Sequence, residues 1–181
     1  MELLLQRGFD MLIHGHKHVP FFTIQSRDGA RMLPVLGAGS FSANLIEPLY
    51  QGRVCNQVHL IEFAGRDGAA MNAFGRIKSW AHVTATGWVK SKHEHHGIFH
   101  LSGFGKYLQL PYVGDLLASL LTVEIAKKGS ATLGELYIRN RELGYIPTKV
   151  LFDALNEVCK SRSFRIVGTI DDPSECTIIS Q

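Results

Sequence analysis

Two imidazoles at an interval of two, His16 and His18, sit behind Gly15 at the end of the short apolar run Asp10-Met11-Leu12-Ile13. Imidazole nitrogen is a good ligand for zinc, iron and manganese. In an extended segment, side chains two apart point the same way, so both rings can approach one metal cluster from one side. Their Cα atoms would lie roughly 6–7 Å apart at the rise of a strand. Hydrolytic metal pairs are spaced about 3.5–4 Å, so each ring can serve a different ion. A polar strand end with no metal is the alternative reading of the same residues.

These residues have to be positioned by neighbouring elements. Residues 1–8 read as the last turns of a helix closed by Gly8, and residues 10–13 as a buried strand. Phe21 to Gln25 and Met32 to Leu36 are two β-like runs around the turn residues Ser26-Arg27-Asp28-Gly29, a hairpin pattern. The small-residue stretch Gly37-Ala38-Gly39-Ser40 lacks the Gly-Lys-Ser/Thr of a phosphate loop, and close packing beside the histidine loop suits it better. Val54 to Phe63 and Ala70 to Trp80 form a strand pair around Arg66-Asp67-Gly68, which favours mixed or antiparallel sheet over repeated βαβ units.

The segment Asp10-Met11-Leu12-Ile13-His14-Gly15-His16-Lys17-His18-Val19-Pro20 resembles the last motif block of calcineurin-like metallophosphoesterases. There an Asp opens an apolar strand that runs into Gly-His-x-His. Val35-Leu36-Gly37-Ala38-Gly39-Ser40 and the strand pair ending near Trp80 are similar to that family's C-terminal sheet, so the resemblance covers about residues 1–90. It implies that His16 and His18 each bind one ion of a divalent pair (Mn, Fe, Zn or Mg), with Lys17 variable and His14 a supporting donor. It also implies a phosphate mono- or diester substrate attacked in line by metal-activated water. The family's Asp-x-His, Gly-Asp-x-x-Asp and Gly-Asn-His-Glu/Asp blocks are missing from this sequence. They supply the bridging Asp, the Asn ligand and the acid His, so no catalytic residue is assigned here. The expectation is a fragment, a truncated product or one half of a split protein, inactive alone, whose partner is another protein or the missing N-terminal half; the alternative is a non-catalytic interaction protein that works through its C-terminal module. A mononuclear His-x-His site of carbonic-anhydrase or amidohydrolase type is the rival. It would need ligands from later strands, for which His59 and His82 are the candidates.

Beyond residue 90 the character changes. Lys90 to Gly97 is polar and His-rich, and reads as a solvated linker spanning 91–110, in which Ser102-Gly103-Phe104-Gly105-Lys106 reads as a turn. Val113, Leu116, Leu117, Leu120 and Leu121 keep helical spacing. Thr132 and Glu135 match a capping box. Pro147 suits a first helical turn, and Val150, Leu151, Ala154, Leu155 and Val158 form an apolar stripe. Phe164 to Ile170 and Thr177 to Ile179 then flank the turn residues Asp171-Asp172-Pro173. Helix, helix, helix, hairpin is the order of a winged-helix-like module over 111–181. The expected fold is therefore α+β: the C-terminal half of a metallophosphoesterase-type α/β sandwich over 1–90, the linker, and that module.

Composition sets the outer limits. An apolar fraction of 45% excludes a disordered chain. Residues 1–110 hold 11 Lys/Arg against 7 Asp/Glu, while 111–181 hold 8 against 9, so the C-terminal module lacks the concentrated charge that duplex binding needs. Its last helix alternates Lys149, Asp153, Glu157, Lys160 and Arg162, which suits a protein contact better than nucleic acid. Cys55, Cys159 and Cys176 form no CxxC pair, and a reduced, cytoplasmic protein fits. Residues 1–7 do not read as a signal peptide. Val113 to Ala126 is interrupted by Asp115 and Glu124 and is too short for a bilayer, so no membrane role is expected.

Overall fold

The computed structural model describes residues 2–15, 19–27, 31–39, 46–47, 52–66, 72–92, 95, 98–105, 110–168 and 175–181. It opens with a short helix, α1 (Glu2–Gln6), followed by β1 (Leu12–His14), β2 (Phe21–Arg27) and β3 (Arg31–Gly37). β3 lies in the middle of this sheet, parallel to β1 and antiparallel to β2. Every residue from Met32 to Gly37 is buried, as expected of a strand covered on both faces. Pro34 is tolerated there because β1 pairs only with Val35, Leu36 and Gly37, which leaves β3 unpaired on that side at the proline. Leu33 and Val35 pack with Leu4, Leu12 and Phe21 on the α1 side.

A two-stranded ribbon, β4 (Ile46–Glu47) with β5 (Gly52–Arg53), leads to the second sheet. This comprises β6 (Gln57–Arg66), β7 (Ala73–Val83), β8 (Gly87–Lys90) and β9 (Leu101–Phe104), all antiparallel to β7. β7 alternates buried and half-buried positions over nine residues, the signature of a strand with one face on a core. That face meets the first sheet through Leu36, Ile77 and Phe104, with Met11, Phe22 and Ile61 packed around them. The sequence places Ser102-Gly103-Phe104-Gly105-Lys106 in a linker turn. The structure instead makes 101–104 a strand, because Gly103 and Gly105 permit backbone contacts that a four-residue pattern does not announce.

The C-terminal part runs α2 (Leu110–Lys128), β10 (Ser130–Thr132), α3 (Leu133–Arg139), a 3-10 helix (Arg141–Tyr145), α4 (Thr148–Ser161), β11 (Phe164–Val167) and β12 (Thr177–Ser180). β12 is central in the sheet β10-β12-β11, antiparallel to both neighbours. The hairpin expected from sequence thus gains a third strand, β10, which precedes the capping residue Thr132. Both halves of the capping box form: Glu135 N–H donates to Thr132 Oγ1 (3.1 Å), and Thr132 N–H donates to Glu135 Oε2 (2.9 Å). Asn140 caps the 3-10 helix by accepting from Glu142 N–H (3.0 Å). The core of this part joins Leu117, Leu121, Leu133, Leu136, Leu155 and Ile178, all fully buried, among others. No described helix is long and apolar enough to cross a membrane. The whole is mixed α and β structure with several antiparallel sheets.

One charge lies inside this core. Glu124 on α2 is 1% exposed, with Arg139 Nε 2.6 Å from Oε1 and Lys128 Nζ 3.8 Å from Oε2. Removing a partner from a buried carboxylate leaves its desolvation uncompensated, whereas replacing the whole pair by apolar groups restores balance. Arg139→Ala should therefore destabilise the chain by about 2–3 kcal/mol, since Lys128 still gives partial compensation. The double change Glu124→Leu/Arg139→Leu should return to near wild-type stability. Urea unfolding followed by circular dichroism measures both.

Candidate functional site

The residues on either side of the histidine pair are held in place. Upstream, Asp10 accepts a hydrogen bond from Ala73 N–H (3.3 Å) and pairs with Arg66, which ties the start of β1 to the ends of β6 and β7. Met11 sits in the intersheet core. At the far end of β1, Ala38 N–H donates to His14 carbonyl oxygen (2.8 Å). Downstream, Pro20 is buried and touches the small-residue stretch at Gly39. A Cβ at Gly37 would press on the Phe21 ring and lie 3.1 Å from Val19 carbonyl oxygen. The described part of this stretch is thus occupied by packing and by a backbone bond, leaving Ala38 N–H spent rather than offered to a phosphate.

His14 lies with its ring 5.0 Å from that of Phe21, tilted by 53°. The space around Gly15 is open, with no atom within 4 Å of where a Cβ would stand. His16, Lys17 and His18 lie outside the described residues, so the structure places neither expected metal ligand. Among the described residues, no three His, Cys, Asp or Glu side chains converge in a way that could hold a metal ion.

His59 and His82, the candidates for completing a mononuclear site, are held apart. His59 on β6 faces Ser79 of β7, with Nδ1 2.8 Å from Ser79 Oγ. His82 stands three residues further along β7, hence on the opposite face, packed edge-on against Trp88 at 5.3 Å. Two rings on opposite faces of one sheet cannot share an ion.

The His-rich stretch after β8 differs most from expectation. His93 and His96 lie outside the described residues, but Ser91, His95 and Ile98 are buried rather than solvated. Gln57 Nε2 donates to His95 carbonyl oxygen (3.0 Å) and lies 3.4 Å from Ser91 Oγ, and Ser91 Oγ–H donates to Ile98 carbonyl oxygen (2.6 Å). Lys92 N–H donates to His95 Nδ1 (2.9 Å), which fixes the proton of the neutral ring on Nε2. His100 Nδ1–H donates to Ser79 carbonyl oxygen (2.9 Å) while its ring packs edge-on against Trp80. These polar residues are interior because partners meet them across β6 and β7, a long-range fact that local polarity conceals.

On the other face of β6, Glu62 is bridged by Lys78 (2.8 Å) and Arg76. Hydrogen bonds from Lys78 and then Arg76 hold its carboxyl below the usual range. Cys159, in the helical core, has its thiol pushed up by burial, the opposite of an activated nucleophile.

Comparison with known proteins gives no family-model match, no similar curated protein and no similar solved structure.

His59 carries a pH prediction. Burial lowers its pKa from 6.5 to about 4, and its Nε2 is buried with no hydrogen-bond partner among the described residues. Between those values the unfolded chain binds the proton and the folded chain does not. Stability therefore falls as pH drops from 6.5 towards 4, and this group adds no further loss below that. Urea midpoints should show that wild type loses about 2–3 kcal/mol more between pH 7 and 4.5 than His59→Gln does.

Proposed function

We propose that this chain is the C-terminal part of a calcineurin-like metallophosphoesterase, with His16 and His18 as ligands to a divalent metal pair, and that it does not hydrolyse phosphoesters by itself. The carrying observation is the treatment of β1. It is a three-residue strand at the sheet edge, parallel to β3, and it is pinned at Asp10, Met11 and His14 so that Gly-His-x-His follows directly from its end. Parallel strands are normally covered on both faces. Here Ile13 is 53% exposed, and an open groove of about 640 Å³ runs between β1 and β6, lined by Met11, Ile13 and Phe63 beside the Asp10–Arg66 pair. Further polypeptide packed there is what the reading requires.

The metal pair would supply Lewis-acid activation of water and neutralise charge at phosphorus. The donors of this chain do not complete such a centre. Two imidazoles leave most positions of two ions unfilled, and no other described cluster makes up the number. The substrate class, a phosphate mono- or diester, the identity of the ions (Mn, Fe, Zn or Mg) and a cytoplasmic location follow the same proposal.

The C-terminal part supports a second role. Its order of helix, strand, two helices and two strands, with β12 between β10 and β11, supports reading it as a winged-helix-like module. On the outer face of α4, Lys149 pairs with Asp153 (2.9 Å) and Lys160 with Glu157 (3.4 Å). A face whose charges alternate in sign offers no continuous positive stripe to a phosphate backbone, which favours a protein partner.

Manganese titration by calorimetry tests the first reading. The wild-type chain should take up Mn²⁺ weakly, His16→Ala/His18→Ala should lose that uptake, and neither should cleave bis-p-nitrophenyl phosphate above background. Equal uptake by both chains, or cleavage by the isolated chain, would contradict it.

A further inference from the structure

A cavity of about 400 Å³ lies where the β2–β3 hairpin meets β9 and the start of α4. That size is in the range of small-molecule sites, and such sites favour junctions between packed units. Its two ends differ in chemistry. At the hairpin end the walls are Phe22, Ile24 and Met32. At the other end the α4 start is held against β9, since Thr148 Oγ1–H donates to Leu101 carbonyl oxygen (3.3 Å). This brings Ser102 and Lys149 together on the cavity wall, beside the apolar Phe99, Pro147 and Val150.

Both groups can receive a ligand. Ser102 is only 3% exposed and lines the cavity, and its hydroxyl makes no side-chain hydrogen bond among the described residues. Its oxygen is reached from the cavity, so it can donate to a bound acceptor without breaking an existing side-chain bond. Lys149 is 87% exposed and pairs with Asp153 one turn along its own helix. An exposed pair of that kind contributes little, so the ammonium can exchange Asp153 for another carboxylate at small cost. Pro147, the N-cap of α4, offers no side-chain acceptor, and the first turn of the helix holds no acid. The positive end of the helix therefore adds to the same preference.

We infer that this cavity binds a small aliphatic carboxylate, with its acid group at Ser102 and Lys149 and its apolar chain against Phe22, Ile24 and Met32. The site is independent of the histidine loop. A neutral apolar molecule would satisfy the hairpin end but leave the Ser102 hydroxyl and the helix end unmet, so the charged head is the discriminating feature.

Octanoate and octan-1-ol, titrated separately into the full chain and followed by calorimetry and ligand-observed NMR, test this directly. Octanoate should bind saturably and about tenfold tighter than the alcohol. Lys149→Glu, an exposed change whose fold is checked by circular dichroism, should erase that preference while leaving alcohol binding in place. Val150→Trp, on the cavity wall, should abolish binding of both. Equal affinity for acid and alcohol, absence of saturable binding, or octanoate binding unchanged in both variants would each overturn the proposal.

Discussion

At Gly103 the backbone of β9 and that of Tyr145–Ile146 lie so close that a single methyl group would overlap the Ile146 carbonyl and stand 2.7 Å from its carbon. This contact has consequences in both directions. On one side β9 pairs with β7, and Phe104 enters the intersheet core with Leu36 and Ile77. On the other, the 3-10 helix and the start of α4 rest on the same four residues, helped by the Thr148 bond to Leu101. A strand of four residues is thus a shared wall between the sheets and the helical part. Burying Phe104 completely contributes roughly 1.5–3 kcal/mol, but only if the adjacent glycine lets the helical part close over it.

The position of the residues that precede the histidine pair follows from that wall. Phe104, Leu36 and Ile77 form the cluster in which Met11 is seated, and Met11 with Asp10 holds β1 in place. His14 is then fixed by its carbonyl bond to Ala38. The backbone up to Gly15 is thus fixed by packing two layers away. The carboxylate cavity depends on the same arrangement, because its floor, Ser102, belongs to β9 and its rim to α4. One backbone contact in this way supports two separate candidate sites.

What could be read from the sequence were features encoded over a few neighbouring residues. The pairing of 21–25 with 32–36, the strand pair closed near Trp80, the capping box of Thr132 and Glu135, and the apolar stripe of α4 each announce themselves within one element. The strand β9 did not, because four residues carry no measurable period and its glycines read as a turn when only their conformational freedom is considered. Ser91 and His95 were misjudged for a related reason: polarity suggests solvent until Gln57, 34 and 38 residues away, is brought beside them. β10 is only three residues long and is made a strand by Ile178 and its neighbours. The motif Gly-His-x-His was legible as chemistry, yet His16 and His18 lie outside the described residues. What the structure contributes is the anchoring on either side of them.

The dependence on β9 is open to a single measurement. Both tryptophans, Trp80 and Trp88, report on the second sheet, whereas ellipticity at helical wavelengths reports chiefly on α2, α3 and α4. In wild type the two signals should be lost together in urea. Gly103→Ala should cost on the order of 3 kcal/mol, as forced overpacking does, and should make the two transitions separate. A Gly103→Ala chain within about 0.5 kcal/mol of wild type, with both signals still falling together, would contradict the account.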